Sequence, residues 1–321
     1  MTEKARILIT RSLPEAVMAR ARRDYEVVTP GGDAVLDAEA LIERADGCAG
    51  ILCCISEKFP AAVIARLPSS VQIISTFSVG TDHIDLASAK ARGIRVGNTP
   101  DAVTVATAEI AILLMLGAAR RAHEGQRLLY DRQWRGFHPT QLLGVRLNGK
   151  RLGIFGMGKI GQAVARRARA FDMEVHYCSR NRLAPEKEQG AIFHETPEAL
   201  FAVSDVLSLH APSSPETRHI LNAAAIDKLP QGAIVINTAR GDLVVDDDLI
   251  AALKSGRVAY AGLDVYQGEP DINPGYYDLP NVFLLPHMGT SAIEARNEMG
   301  FAALDNIDAV LAGREPPNPV V

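Results

Sequence analysis

A chain of 321 residues has room for about two domains of ordinary size, and 47% hydrophobic against 22% charged residues excludes a disordered polypeptide. Its 34 Lys and Arg against 38 Asp and Glu give a net charge of -4 without any block of five like charges, which argues against a nucleic-acid binder. The longest apolar run, Ile110 to Ala119, has about half the length a bilayer crossing needs, so no membrane association is expected.

In chain order, short apolar runs alternate with Ala-rich amphipathic stretches, the pattern of parallel sheets with helices on their faces. In the first third the runs Arg6 to Thr10, Ala49 to Cys53, Ile73 to Thr76 and Arg95-Val96 read as strands, with helices such as Pro14 to Arg23 and Pro60 to Arg66 between them. This is a small doubly wound unit. One long helix is expected from about Val103 to Tyr130, bridging to a second unit that opens at the turn Asn148-Gly149-Lys150. There the strands are Arg151 to Phe155, Glu174 to Cys178, Asp205 to Leu209, Ala233 to Asn237, Tyr260 to Asp264 and Val282 to Leu285. A helix from Ser291 to Ala312 precedes a Pro-rich tail. No leading segment has the apolar length of a secretion signal, and the four cysteines lack metal-type spacing, so structural thiols in a cytoplasmic protein are expected.

The sharpest local motif is Gly156-Met157-Gly158-Lys159-Ile160-Gly161, placed between a strand and a helical run. Gly156 permits the tight turn, Gly158 lets backbone N–H groups approach a pyrophosphate, and Gly161 brings the helix close to the strand. The positive helix end, with Lys159 and Ile160 in its first turn, then faces the phosphates. The next strand ends in Tyr177-Cys178-Ser179-Arg180-Asn181-Arg182, with no acid to hold a bare ribose diol. A hydroxyl at Ser179 and a guanidinium at Arg180 suit a 2′-phosphate, so NADP(H) is favoured over NAD(H).

Three more strand ends present reactive side chains: Arg240 after Ala233 to Asn237, Glu269 after Tyr260 to Asp264, and His287 after Val282 to Leu285. Ligands of open parallel sheets bind at these carboxyl ends. Reducing a 2-keto acid needs a cation for the carboxylate and ketone, and an acid for the oxygen that receives the proton. Arg240 and His287 suit those roles, and a carboxylate at Glu269 would keep the imidazole protonated. The other seven histidines show no metal-ligand spacing and are given no role.

These segments, with Phe77-Ser78-Val79-Gly80-Thr81-Asp82-His83-Ile84-Asp85 and Thr104-Val105-Ala106-Thr107-Ala108-Glu109, resemble the NAD(P)-dependent D-isomer-specific 2-hydroxyacid dehydrogenases over almost the whole chain. The resemblance implies a Rossmann cofactor domain, residues 101–287, inserted into a flavodoxin-like substrate domain made of residues 1–100 and 288–321, with the active site in the cleft. It implies that Arg240 binds substrate, that Glu269 partners the acid/base His287, and that the Val79 and Gly80 backbone holds the substrate carboxylate. It places Thr107, Thr238, Ala239 and Asp264 around the nicotinamide, and makes Trp134 a candidate substrate-site contact in a homodimer. Within the family the chain looks most like hydroxypyruvate and glyoxylate reductases, and 321 residues leave no room for the regulatory extension of the phosphoglycerate dehydrogenase branch. Reduction of another 2-keto acid, and a dinucleotide-sensing corepressor, are the alternatives.

Overall fold

The computed structural model describes residues 4–32 and 34–321. It divides into two compact units, one formed by Met1–Val103 with Thr290–Val321 and the other by Thr104–Gly289.

In the first unit the elements run β1 (Arg6–Ile9), α1 (Glu15–Asp24), β2 (Glu26–Val28), α2 (Ala38–Arg44), β3 (Gly50–Cys53), α3 (Ala61–Arg66), β4 (Ile73–Thr76), α4 (Leu86–Ala91) and β5 (Arg95–Gly97). All five strands are parallel, in the order β2-β1-β3-β4-β5, which is the flavodoxin-like arrangement. With helices on both faces the strands must be apolar throughout, and β3 and β4 are buried at every residue. Side-chain oxygens start two helices: Asp37 accepts from Ala40 N–H at 2.9 Å and Asp85 from Ser88 N–H at 2.8 Å. The last helix of the chain returns to this unit and packs on β3, β4 and β5.

The second unit contains α5 (Thr104–Ala119), α6 (Ala122–Tyr130), β6 (Arg151–Phe155), α7 (Lys159–Arg169), β7 (Glu174–Cys178), α8 (Pro185–Glu188), β8 (Ile192–Phe193), α9 (Pro197–Val203), β9 (Val206–Leu209), α10 (Ala223–Ile226), β10 (Ala233–Asn237), α11 (Asp246–Ser255), β11 (Val258–Leu263) and β12 (Val282–Leu284). The helix that returns to the first unit is α12 (Ile293–Leu311). Seven parallel strands follow the order β12-β11-β10-β9-β6-β7-β8, so the chain reverses direction across the sheet at the β6/β9 pair. That reversal is the switch point where a Rossmann sheet binds its ligand. Register aligns the carboxyl ends: Phe155 pairs with Cys178 and Leu209, and Asn237 pairs with Leu209 and Leu263.

One expectation fails here. The single helix from Val103 to Tyr130 is two helices, because Arg121 takes a left-handed conformation at φ 53°. The returning chain at Gly144-Val145 explains the break: Val145 N–H donates to the Ala119 carbonyl at 2.8 Å, and a Cβ on Gly144 would lie 2.2 Å from that oxygen. Arg121 then holds Glu124 through two hydrogen bonds of 2.6 and 2.7 Å, which starts the new helix.

Candidate active site

The glycine loop behaves as its sequence requires. Gly156 has φ 99°, and a Cβ there would come within 2.5 Å of the Ala211 nitrogen, so only glycine fits between β6 and the end of β9. A Cβ on Gly161 would lie 2.3 Å from the Gly156 carbonyl oxygen, which sets how closely α7 approaches β6. At Gly158 a Cβ would meet nothing within 4 Å. The first helical bond of α7 runs from Gln162 N–H to the Gly158 carbonyl, and no side chain of the described residues caps the helix. The N–H groups of Lys159, Ile160 and Gly161 therefore carry the positive end of the helix toward open space, a fit for a pyrophosphate.

Beside this loop, Met157 N–H donates to Ser179 Oγ at 3.4 Å, which brings the end of β7 against the glycine turn. The two arginines there differ. Arg182 is held by Glu188 at 2.8 and 3.3 Å and lies over the Phe193 ring at 5.5 Å, whereas the Arg180 side chain is exposed.

The three reactive residues come from adjacent strand ends, and local packing fixes each one. Asn237, the last residue of β10, accepts from Ala239 N–H at 3.0 Å and donates to the Arg240 carbonyl at 2.8 Å, so one amide braces the whole Thr238 to Arg240 turn. The Arg240 guanidinium donates to the Ala239 carbonyl at 2.7 Å. Gly241 follows because its backbone lies directly on Tyr266-Gln267, where a Cβ would sit 1.9 Å from a Tyr266 carbon. Glu269 is fixed from the other side of that contact, since Tyr266 N–H donates to Oε1 at 2.8 Å. Its Oε2 lies 2.6 Å from His287 Nδ1. Burial pushes the Glu269 carboxyl up, but the His287 hydrogen bond and charge, the Tyr266 amide and the Arg240 charge outweigh it and hold the group below the usual glutamate range. With Nδ1 committed to the carboxylate, Nε2 is the imidazole atom left to exchange a proton with a ligand.

His287 itself has φ 51°, a costly conformation for a side chain branched beyond glycine. Asp264 supports it. The Asp264 carbonyl accepts from His287 N–H at 2.9 Å, and its two carboxylate oxygens accept from Met288 and Gly289 N–H, each at 2.7 Å. Burial raises the Asp264 carboxyl to about 6 against the opposing pull of those amides and of His287. Gly289 brings Thr107 into the same corner, since a Cβ there would be 3.1 Å from Asp264 Oδ2 and 3.5 Å from Thr107 Oγ1. A cavity of about 320 Å³ opens beside the pair, with Glu269 and His287 among lining residues that include Tyr266, Ile272, Tyr277 and Leu284.

Thr238 Oγ1 lies 3.4 Å from Nδ1 of His210, whose Nε2 is 2.8 Å from Ser208 Oγ. Desolvation pushes this imidazole down to about 4, so it is neutral at pH 7. The sequence assigns His210 no role, although its place directly after the apolar strand Val206–Leu209 is the signal that points to it. In the first unit the Val79 and Gly80 loop follows β4, with Val79 38% exposed. Trp134 lies in the irregular segment after α6 and is 53% exposed. No group of three or more His, Cys, Asp and Glu among the described residues has a metal-binding arrangement, and none of their helices is long and apolar enough to cross a membrane.

The family model described as D-isomer specific 2-hydroxyacid dehydrogenase, NAD binding domain, matches residues 112–289. The glycerate dehydrogenase of Hyphomicrobium methylovorum is 52% identical over 314 residues, 97% of this chain and 98% of that one. The chain belongs to the D-isomer-specific 2-hydroxyacid dehydrogenases. A member of that family from a Polaromonas species superposes with a TM-score of 0.95 at 42% identity, covering 99% of the dehydrogenase described above and 100% of the other chain. An NADPH-dependent glyoxylate/hydroxypyruvate reductase from Sinorhizobium meliloti, solved with NADP and malonate, gives 0.88 at 31% identity, covering 99% and 97%. The dehydrogenase therefore uses a nicotinamide dinucleotide, and the glycine loop has the open face at Gly158 that such a cofactor requires.

Proposed function

We propose that this dehydrogenase reduces glyoxylate to glycolate and hydroxypyruvate to D-glycerate, with NADPH as the preferred cofactor. The observation that carries the reading is the Glu269 and His287 pair at 2.6 Å, set beside Arg240 on neighbouring strand ends. The similarity to a glycerate dehydrogenase and to a glyoxylate/hydroxypyruvate reductase supports the choice of small 2-keto acids.

A nicotinamide held by the glycine loop and by Thr107, Thr238 and Ala239 would supply the hydride for the carbonyl carbon of the keto acid. His287 donates its Nε2 proton to the carbonyl oxygen, and Glu269 stabilises the imidazolium before transfer and keeps the ring oriented. Arg240 and the Val79 and Gly80 amides take the carboxylate, which leaves the carbonyl in one pose. Asp264 holds the backbone that presents His287, and Thr107, Thr238 and Ala239 flank the cofactor. In the loop after β7, Ser179 and Arg180 take the 2′-phosphate, because Glu188 has already claimed Arg182. Residues 1–100 with 288–321 serve as the substrate domain and 101–287 as the cofactor domain, while Trp134 is a substrate-site contact in a homodimer.

Initial rates with NADPH and NADH against glyoxylate, hydroxypyruvate, pyruvate and a bulky 2-keto acid test cofactor and substrate together. His287→Ala is expected to lower turnover about 100- to 10,000-fold with cofactor binding nearly unchanged. Arg180→Ala is expected to raise the KM for NADPH roughly ten- to a hundredfold and leave that for NADH alone, in line with a charge-assisted contact. An equal loss with both cofactors overturns the Arg180 assignment.

A further inference from the structure

In the loop after β4 the carbonyls of Ser78, Val79 and Gly80 are all tied back by hydrogen bonds. The Ser78 carbonyl accepts from Thr99 N–H at 2.9 Å and Thr99 Oγ1 at 3.1 Å, and the Val79 carbonyl accepts from Asn98 Nδ2 at 2.8 Å. The Gly80 carbonyl accepts from Ser78 Oγ at 2.6 Å. No acceptor among the described residues takes the N–H of Val79 or Gly80. A loop with its carbonyls tied back and its amides unpaired is an anion nest, and the Gly80 carbonyl is the one held by a side chain of the loop itself.

That side chain is the end of a buried chain of hydrogen bonds. Ser78 Oγ is 2.7 Å from Thr76 Oγ1, and Thr76 Oγ1 is 3.0 Å from His83 Nε2. Ser78, Thr76 and His83 are all buried. The direction of the chain follows from its last acceptor. A carbonyl cannot donate, so Ser78 must give its one hydroxyl hydrogen to Gly80. Ser78 Oγ then accepts from Thr76, whose only hydrogen is thereby used, and Thr76 Oγ1 must accept from His83. Nε2 of His83 therefore carries a hydrogen, and Cys53 Sγ, 3.9 Å away, is left as a weak acceptor of the same hydrogen. The opposite polarity would leave two hydroxyl oxygens in contact at 2.7 Å with no hydrogen between them. The backbone at His83 is held as well, since its carbonyl accepts from Phe59 N–H at 2.7 Å and Ile84 bridges to Phe59.

We infer that His83, Thr76 and Ser78 form a one-way hydrogen-bond relay that positions the Val79 and Gly80 amides for the substrate carboxylate. The inference rests on the reading of those amides as carboxylate ligands. His83 is a positioning residue: it touches neither substrate nor cofactor and acts through two hydroxyls. The chemistry it requires is a hydrogen on Nε2, which both the Nε2–H neutral tautomer and the imidazolium supply.

Steady-state kinetics on the full chain test this with glyoxylate as the varied substrate and melting curves as a check on folding. Thr76→Val keeps the shape and removes the link, and His83→Phe removes the donor. Each is expected to raise the glyoxylate KM about tenfold, with kcat and the NADPH KM within twofold of the parent, because a uniform binding contact is lost. In His83→Gln an amide N–H replaces the imidazole N–H, and the KM is expected to return to within about threefold. Val79→Pro deletes one amide and tests the underlying reading. If it raises the KM while Thr76→Val and His83→Phe do not, the relay is overturned and the carboxylate nest stands. If Val79→Pro leaves the KM unchanged, both fall. A His83→Gln variant as impaired as His83→Phe also overturns the relay, since donor chemistry would then not be what matters.

Discussion

At the residue scale, the site depends on carboxylates that differ in how their surroundings treat charge. Asp264 is buried enough to be raised to about 6, while an aspartate in an unfolded chain titrates near about 4. Between those values the native protein binds more protons at this position than the unfolded chain does, so this group makes the fold less stable as pH rises from about 4 to about 6. Glu269 has the opposite sign: its carboxyl is held below the usual range, so its contribution is present above the unfolded value and disappears as pH falls through the folded one. Asp264→Asn should remove the first effect. It also turns an amide NH2 toward the Met288 or Gly289 N–H, and a buried donor without an acceptor costs about 1–3 kcal/mol. Melting temperatures from pH 4 to 7 are expected to be lower for the variant throughout, with a steeper rise toward pH 6 than in the parent. Parallel pH profiles would refute the assignment. The Asp264 role in supporting His287 was not legible in the sequence, because it runs to amides 24 and 25 residues further along. Arg240, Glu269 and His287 were legible, since each lies in the segment that follows a strongly apolar strand.

At the element scale, β6, β7 and β10 match their expected limits because most of their residues are apolar and buried, although Glu174 and His176 interrupt the run in β7. The three-residue β2 and two-residue β8 carry too little pattern to be seen. The break between α5 and α6 was invisible for another reason. Arginine does not stop helices, and the cause is a contact from Val145, far along the chain. The β6-loop-α7 element gives a direct test of what its glycines do. Gly158→Ala places a methyl in open space at an extended backbone, so the melting temperature should match the parent, while the KM for NADPH should rise as the methyl occupies the face left to the pyrophosphate. Gly161→Ala drives a methyl toward the Gly156 carbonyl, so stability should fall by about 1–3 kcal/mol together with cofactor binding. Equal loss of stability in both variants would show that the glycine at 158 serves the fold and not the ligand.

At the scale of the whole molecule, two compact units are built from unequal stretches of chain. Residues 104–289 form a continuous unit with its own seven-stranded sheet, whereas the five-stranded sheet depends on a helix that arrives after residue 290. Along α12, Ala295, Met299, Ala303, Leu304, Ile307 and Val310 are buried, and Gly300 packs so closely on Val17 of α1 that a Cβ would lie 2.4 Å away. Arg20 of α1 adds ion pairs to Asp305 and Asp308 at 2.6 and 2.7 Å, although partly exposed pairs contribute less than the apolar face does. Asn306, fully buried, donates to the Asn98 carbonyl at 3.0 Å and accepts from Asn318 N–H at 3.0 Å, so the helix also fixes the chain after β5 and the tail. Deleting residues 290–321 therefore removes one face of the smaller sheet and strands several buried polar groups. Full burial of each large apolar side chain contributes about 1.5–3 kcal/mol, so losing several exceeds the roughly 5–15 kcal/mol that holds an ordinary domain together. The truncated chain 1–289 is expected to show hydrogen exchange throughout residues 6–97, continued protection in residues 104–289, and NADPH binding within a few fold of the parent, but no turnover of glyoxylate. Protection surviving in β3 and β4 of the truncated chain would show that the first unit does not need α12, and would remove the physical reason for its being built from both ends of the chain.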